Sequence, residues 1–169
     1  MKAYNAPWSR SLIAVSILAT GLCLVISFLL VRQGLPWLAA LTPLAVVLCA
    51  TPFAIRGYSV APDQVLVHRF GWTSRLPLAG LQSVQHVPDA MKGSIRTFGN
   101  GGLFSFTGLF RNRRLGSYRA FATDPHRSVV LRFAKRTVVL TPDEPEEFAA
   151  ELAGRCEPVP TAAAPRPAG

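Results

Sequence analysis

The chain has 169 residues, 50% of them hydrophobic, and 18 Lys and Arg against 9 Asp and Glu give a formal charge of +9. That is more apolar than an ordinary soluble domain, and the excess is concentrated in the first third. Three cysteines, Cys23 and Cys49 in apolar runs and Cys156 in a tail, have no spacing that suggests a disulfide framework or a zinc site, and the first two read as small buried hydrophobes. So basic a chain fits nucleic acid or an anionic membrane surface. The apolar excess favours the membrane, whose cytoplasmic leaflet attracts Lys and Arg.

Residues 1–10 form a short polar tail with Lys2 and Arg10. Residues 11–31 carry no charge, and as a helix such a run spans roughly 31 Å, enough to cross a hydrocarbon core. Arg32-Gln33-Gly34 interrupts it, and residues 35–55 are a second uncharged run closed by Arg56. The first run exceeds the roughly 7–15 apolar residues of a cleaved leader, and a second follows at once. A buried core helix would carry a polar face, and neither run has one beyond Ser, Thr and Pro. The expectation is two transmembrane helices in an antiparallel hairpin. Pro43 should kink the second helix, Pro36 is harmless at its start, and Trp8 and Trp37 are placed as interfacial anchors. Lys2 and Arg10 precede the hairpin and Arg56, Arg69 and Arg75 follow it, against Arg32 alone in the turn. That asymmetry predicts cytoplasmic N- and C-termini.

From Gly57 the pattern changes. Gln64–Phe70 is β-branched and aliphatic, and Leu81–Val87 and Ser117–Thr123 alternate with the period of a half-buried strand. Ser128–Phe133 and Thr137–Thr141 flank Ala134-Lys135-Arg136 as a hairpin, while Pro62-Asp63, Pro88-Asp89 and Asp124-Pro125 mark loops. This predicts an antiparallel meander. One helix closes it: Thr141-Pro142-Asp143-Glu144 has capping-box spacing, and Pro145 leaves a later start open. Phe148 and Leu152 share a face, and Gly154 can stop the helix. The predicted domain covers residues 57–154, and residues 155–169 are a Pro/Ala-rich tail expected to be disordered.

Residues 96–110, RTFGNGGLFSFTGLF, interleave Gly99, Gly101, Gly102 and Gly108 with Phe98, Phe104, Phe106 and Phe110. They are followed by LGSYRAFATD, VVLRF and TVVLTPDEPEEF. This ordered set resembles the bacterial pleckstrin-homology-like (PH-like) domain family found behind transmembrane hairpins in small bacterial membrane proteins, over about Tyr58 to Leu152. The resemblance implies a split barrel of antiparallel strands capped by a C-terminal helix, in a multi-pass protein of the inner membrane. It implies no catalytic residue and no ligand.

The residues themselves offer little chemistry. The Gly-rich segment lacks the Lys-Ser/Thr of a phosphate loop, and Phe104 stands where a GxGxxG motif needs glycine. Its structural reading is tight backbone geometry around Gly99, Gly101, Gly102 and Gly108 with phenylalanines packed between; ligand binding is the alternative. His68, His86 and His126 lie far apart, without metal-ligand spacing. The carboxylates crowd Asp143–Glu147 and Glu151, a helix start and its solvated face, with no sign of a paired acid and base, and no nucleophile elbow appears. No catalytic residue, cofactor, metal, nucleic acid or small-molecule substrate is therefore expected. Arg111, Arg113, Arg114 and Arg119, with Lys92 and Arg96 upstream, form the candidate contact surface for phosphate headgroups or an acidic partner; a solvated loop is the plainer reading. The function expected is a non-enzymatic, membrane-anchored interaction module that meets membrane lipids or a protein partner. The alternative is an accessory subunit of a larger membrane complex, assembled through the hairpin.

Overall fold

The computed structural model describes residues 2–156. Helix α1 (Arg10–Arg32) begins at Ser9, whose side chain accepts from the Leu12 amide, and ends with Arg32 in its last turn, where the helix dipole favours a cation. The turn after it places Gly34 at φ 74°. Helix α2 (Trp37–Ala50) packs against α1 and runs through Pro43 without a break. A 3₁₀ turn (Thr51–Phe53) continues it.

α1 is long and apolar enough to cross a membrane, with only 17% of its most apolar window buried. Expected as a span over 35–55, the second helix is shorter. Its α-helical part rises roughly 21 Å, and the 3₁₀ turn brings it to roughly 27 Å. Thr51-Pro52 tightens the helix, and residue 55 is already in a strand. Cys49 is exposed and Cys23 partly so, so neither is the buried hydrophobe expected.

The domain has two sheets. In the first, β1 (Lys2–Asn5), β2 (Ile55–Val60), β3 (Gln64–Arg69) and β4 (Thr73–Pro77) lie in that order, all antiparallel. The second contains β5 (Leu81–His86), β6 (Ile95–Gly101), β7 (Phe106–Asn112), β8 (Gly116–Ala122), β9 (Val129–Phe133) and β10 (Thr137–Leu140), in the order β5-β9-β10-β8-β7-β6. Here the expected all-antiparallel meander needs correcting. After β8 the chain skips one position so that β9 pairs with β5; β10 then returns into the gap and runs parallel to β8.

The first residues are a second departure. Rather than a free tail, Lys2–Asn5 pairs with β2, Asn5 opposite Gly57. Tyr4 is buried, its ring edge-on to Phe148 at 5.0 Å, and its hydroxyl donates to Glu151 at 2.7 Å. The Asn5 amide and side chain both donate to the Asp143 carboxylate.

Helix α3 (Pro145–Ala153) starts at the later position that Pro145 allowed, and Phe148 and Leu152 are fully buried as expected. With Tyr58, Ile55, Val65, Val67, Leu81, Leu131 and Leu140 they fill the space between the sheets. A smaller cluster on the outer face of the second sheet packs Phe110, Tyr118, Ala120 and Val139 under Ala90 and Met91. Of the expected disordered tail, residues 157–169 lie outside the described residues.

Candidate functional site

The Gly/Phe segment is the β6–β7 hairpin. Gly99 and Gly108 face each other across it at φ 102° and 143°. A Cβ on Gly108 would stand 2.1 Å from the Phe98 carbonyl oxygen, and one on Gly99 2.4 Å from that of Thr107. Only glycine lets these backbones approach so closely. Gly101 ends β6, and Gly102 opens the tip, where Phe104 takes φ 63°. That tip rests on the helices. The Phe104 amide donates to Ser16 of α1 at 3.1 Å, the Ser105 hydroxyl donates to the Phe53 carbonyl at 2.9 Å, and the Trp8 and Phe104 rings lie 6.2 Å apart. Beside it a mostly apolar cavity of about 540 Å³ opens among Trp8, Ala54, Ile55, Phe70 and Phe104.

The arginine cluster is divided by the fold. Arg111 is on β7 and Arg119 on β8, whereas Arg113 and Arg114 occupy the turn between them, both exposed. Because Arg111 pairs with Ser117 and Leu109 with Arg119, Arg111 and Arg119 share one face of the sheet as diagonal neighbours. Phe121, two residues on, is in the core between the sheets, so Arg119 is on the inner face and points toward the other sheet.

Across that gap stands a residue that counted in the sequence only as flanking charge. On β3, Val65, Val67 and Arg69 alternate inward, and Arg69 is 9% exposed. Its guanidinium lies 5.2 Å from the Phe121 ring centroid, 5.5 Å from that of Trp72 and 5.9 Å from that of Phe53. Arg119 approaches Phe121 at 4.9 Å. Among the described residues, Arg69 has no hydrogen bond from its side chain and its Nε is buried without a partner. Burial, and then the like charge of Arg119, push its guanidinium below the usual arginine range. The period-two register of QVLVHR was the signal that would have placed it inside.

Arg69 and Arg119 line a pocket of about 400 Å³ with Phe53, Trp72, Gly99 and Gly108. An adjoining groove shares Ser74, Leu109 and Arg119 with it and adds Arg75, Lys135 and Arg136. Among the described residues, no carboxylate lines either one. Five acidic residues are engaged elsewhere: Asp143, Glu147 and Glu151 bond to the N-terminal strand, Asp124 pairs with Arg127, and Asp89 lies 2.8 Å from His126. The remaining histidines are separate too, His68 between Ser59 and Thr73 and His86 near Glu146.

Neither a curated protein nor a solved structure matches the chain. The profile of the bacterial PH domain family matches residues 56–156, which takes in both sheets from β2 onward, the hairpin and α3; the chain belongs to the bacterial PH domain family.

Proposed function

We propose that this chain is a two-span, membrane-anchored interaction module, with its PH-like domain and both termini at the cytoplasmic face of a bacterial inner membrane. It works by contact rather than catalysis, and the contact is with anionic headgroups or a protein partner. The observation that carries this reading is the pairing of Asn5 with Gly57. One strand enters α1 and the other leaves α2, yet they are neighbours in one sheet. A single crossing would leave them on opposite sides of the bilayer, so the helices cross as a pair or not at all. Exposed Ile17, Leu18, Phe28, Trp37 and Leu48 give the pair an apolar exterior, which water disfavours and lipid accepts.

The test is fractionation of the full chain followed by a topology reporter. It should stay with membranes through alkaline carbonate, and a C-terminal alkaline phosphatase fusion should be inactive. Release into the soluble fraction, or an active fusion, would overturn the reading.

A further inference from the structure

We propose that the Arg69/Arg119 pocket binds a phosphate group, and that its occupant is the headgroup of an anionic phospholipid of the leaflet in which the helices end. This rests on the membrane-anchored reading above and adds the site and the ligand chemistry.

Three observations carry it. The first is Arg69 itself. A guanidinium presents its donors in a planar fork that matches phosphate oxygens. This one is 9% exposed, its Nε has no partner, and three aromatic rings surround it. Ring faces attract a cation but accept no strong hydrogen bond, and a buried polar group left unpaired costs stability. An anion would satisfy those donors.

The second is the absence of a carboxylate from its described lining. Arg119 faces the same pocket from the opposite sheet with no ion pair among the described residues, and Arg75, Lys135 and Arg136 extend the positive wall. Asp143 and Glu147 bond to the N-terminal strand instead, and Asp124 pairs with Arg127. No described residue within the pocket neutralises its charge.

The third is place. Phe53, a wall of the pocket, is the last residue of the turn that continues α2. A phosphate at the end of a membrane helix lies at headgroup depth, just outside the hydrocarbon. Phe98 is 74% exposed and Trp72 43% exposed beside the pocket, and aromatic side chains favour that interface. A free phosphate would satisfy the arginines equally well but would leave those rings in water. Their exposure favours the lipid.

The experiment uses the full chain in detergent micelles, titrated with dioleoyl phosphatidylglycerol or with dioleoylglycerol, which has the same chains and no phosphate. Lipid retention is read by native mass spectrometry. Phosphatidylglycerol should be retained at least tenfold more tightly than dioleoylglycerol. Arg69→Gln/Arg119→Gln should erase the difference, and Arg113→Ser/Arg114→Ser should keep it. Arg119→Gln alone, at an exposed position, should still lower the preference if the double variant does not fold. In a parallel arm, sn-glycerol 3-phosphate is tested for protection against thermal unfolding. Protection lost with Arg69 and Arg119, at an affinity equal to the lipid's, would keep the phosphate site and reassign its occupant to a soluble phosphate. Equal retention of both lipids, or a preference untouched by the arginine changes, overturns the proposal. Either result can occur in a protein that still fractionates with membranes, so failure here is distinct from failure of the anchoring.

Discussion

The two ends of the space between the sheets are built on opposite principles. At the α3 end, Tyr58 is wholly buried and its hydroxyl donates to the Phe121 carbonyl at 2.7 Å while accepting from the Thr141 amide at 3.3 Å. Phe148 and Leu152 are fully buried, and Tyr4 closes over them. At the β4 end a cation sits among rings with its Nε unsatisfied, and Phe98 and Phe70 stand 74% and 70% exposed. One end hides its aromatics and pairs the Tyr58 hydroxyl; the other exposes its aromatics and leaves a buried cation unpaired. The same inward register of β3 serves both, with Val65 and Val67 in the core and Arg69 at the opening. Stability should therefore be concentrated at the first end and be insensitive to the second.

The largest expected effect follows. Replacing a packed Phe with Ala costs about 3–5 kcal/mol, so Phe148→Ala should remove a large share of a small domain's stability. It would empty the site that Tyr4 and Tyr58 pack against. Denaturant unfolding of the full chain in detergent checks it; an unchanged midpoint would mean that α3 does not hold this end together.

Tyr58→Phe should cost less, about 1–3 kcal/mol, because it leaves a buried carbonyl and amide unpaired while conserving the ring. Burial also pushes the Tyr58 hydroxyl from its ordinary 10 up to about 12. The folded state thus holds this proton more tightly than the unfolded state. The stability it contributes is complete below pH 10 and is lost as pH rises from 10 through about 12. Wild type should weaken over that window, and Tyr58→Phe should weaken less; parallel slopes in the two proteins would remove Tyr58 as the cause.

At the open end, Arg69→Met should leave stability unchanged or raise it, since it replaces an unpaired buried cation with a long, unbranched apolar side chain. A loss comparable to that of Phe148→Ala would show that the arginine holds the sheets together, and the contrast between the ends would fail.

Much of this was legible in the sequence, for identifiable reasons. Gln64–Phe70 has one buried face, and that face writes its period into the residues, whereas the 128–141 hairpin is buried on both faces and shows instead as two β-branched, aliphatic runs around a polar turn. Phe148 and Leu152 were readable from helical spacing. β6 and β7 were not, because glycines at positive φ and a bulge at Arg96/Phe98 break the alternation. β1 was not, because four residues are too few to show a period and their partner lies beyond both helices. A domain of residues 57–155 alone therefore lacks a strand and the Tyr4 ring. The candidate surface was half legible. Arg111, Arg113, Arg114 and Arg119 are close in sequence, but whether they share a face depends on strand register, and only Arg111 and Arg119 do. Arg69 had its register in view, but an arginine in a core-facing slot reads as ordinary surface charge until the aromatic partners are in place.

The smallest expected effect concerns the turn at Arg113 and Arg114. Both are exposed and neither makes an ion pair among the described residues. The turn is held by Asn112 instead, whose Oδ1 accepts from the amides of Arg114 and Leu115 at 3.1 and 2.7 Å. Those bonds come from the backbone and survive a change of side chain. Arg113→Ser/Arg114→Ser should therefore move stability by less than about 0.5 kcal/mol. What the change removes is long-range charge. Each base near an anionic leaflet is worth about 1 kcal/mol before screening, and at physiological salt the field falls off within about 8 Å. The expected consequence is a domain that orients less firmly on anionic bilayers at low salt and indistinguishably from wild type at high salt. Fluorescence quenching of the domain by labelled anionic vesicles, at two ionic strengths on the reconstituted full chain, measures this directly. A deficit that persists undiminished in high salt would mean that these side chains make a specific contact, and the turn would then belong with the pocket rather than apart from it.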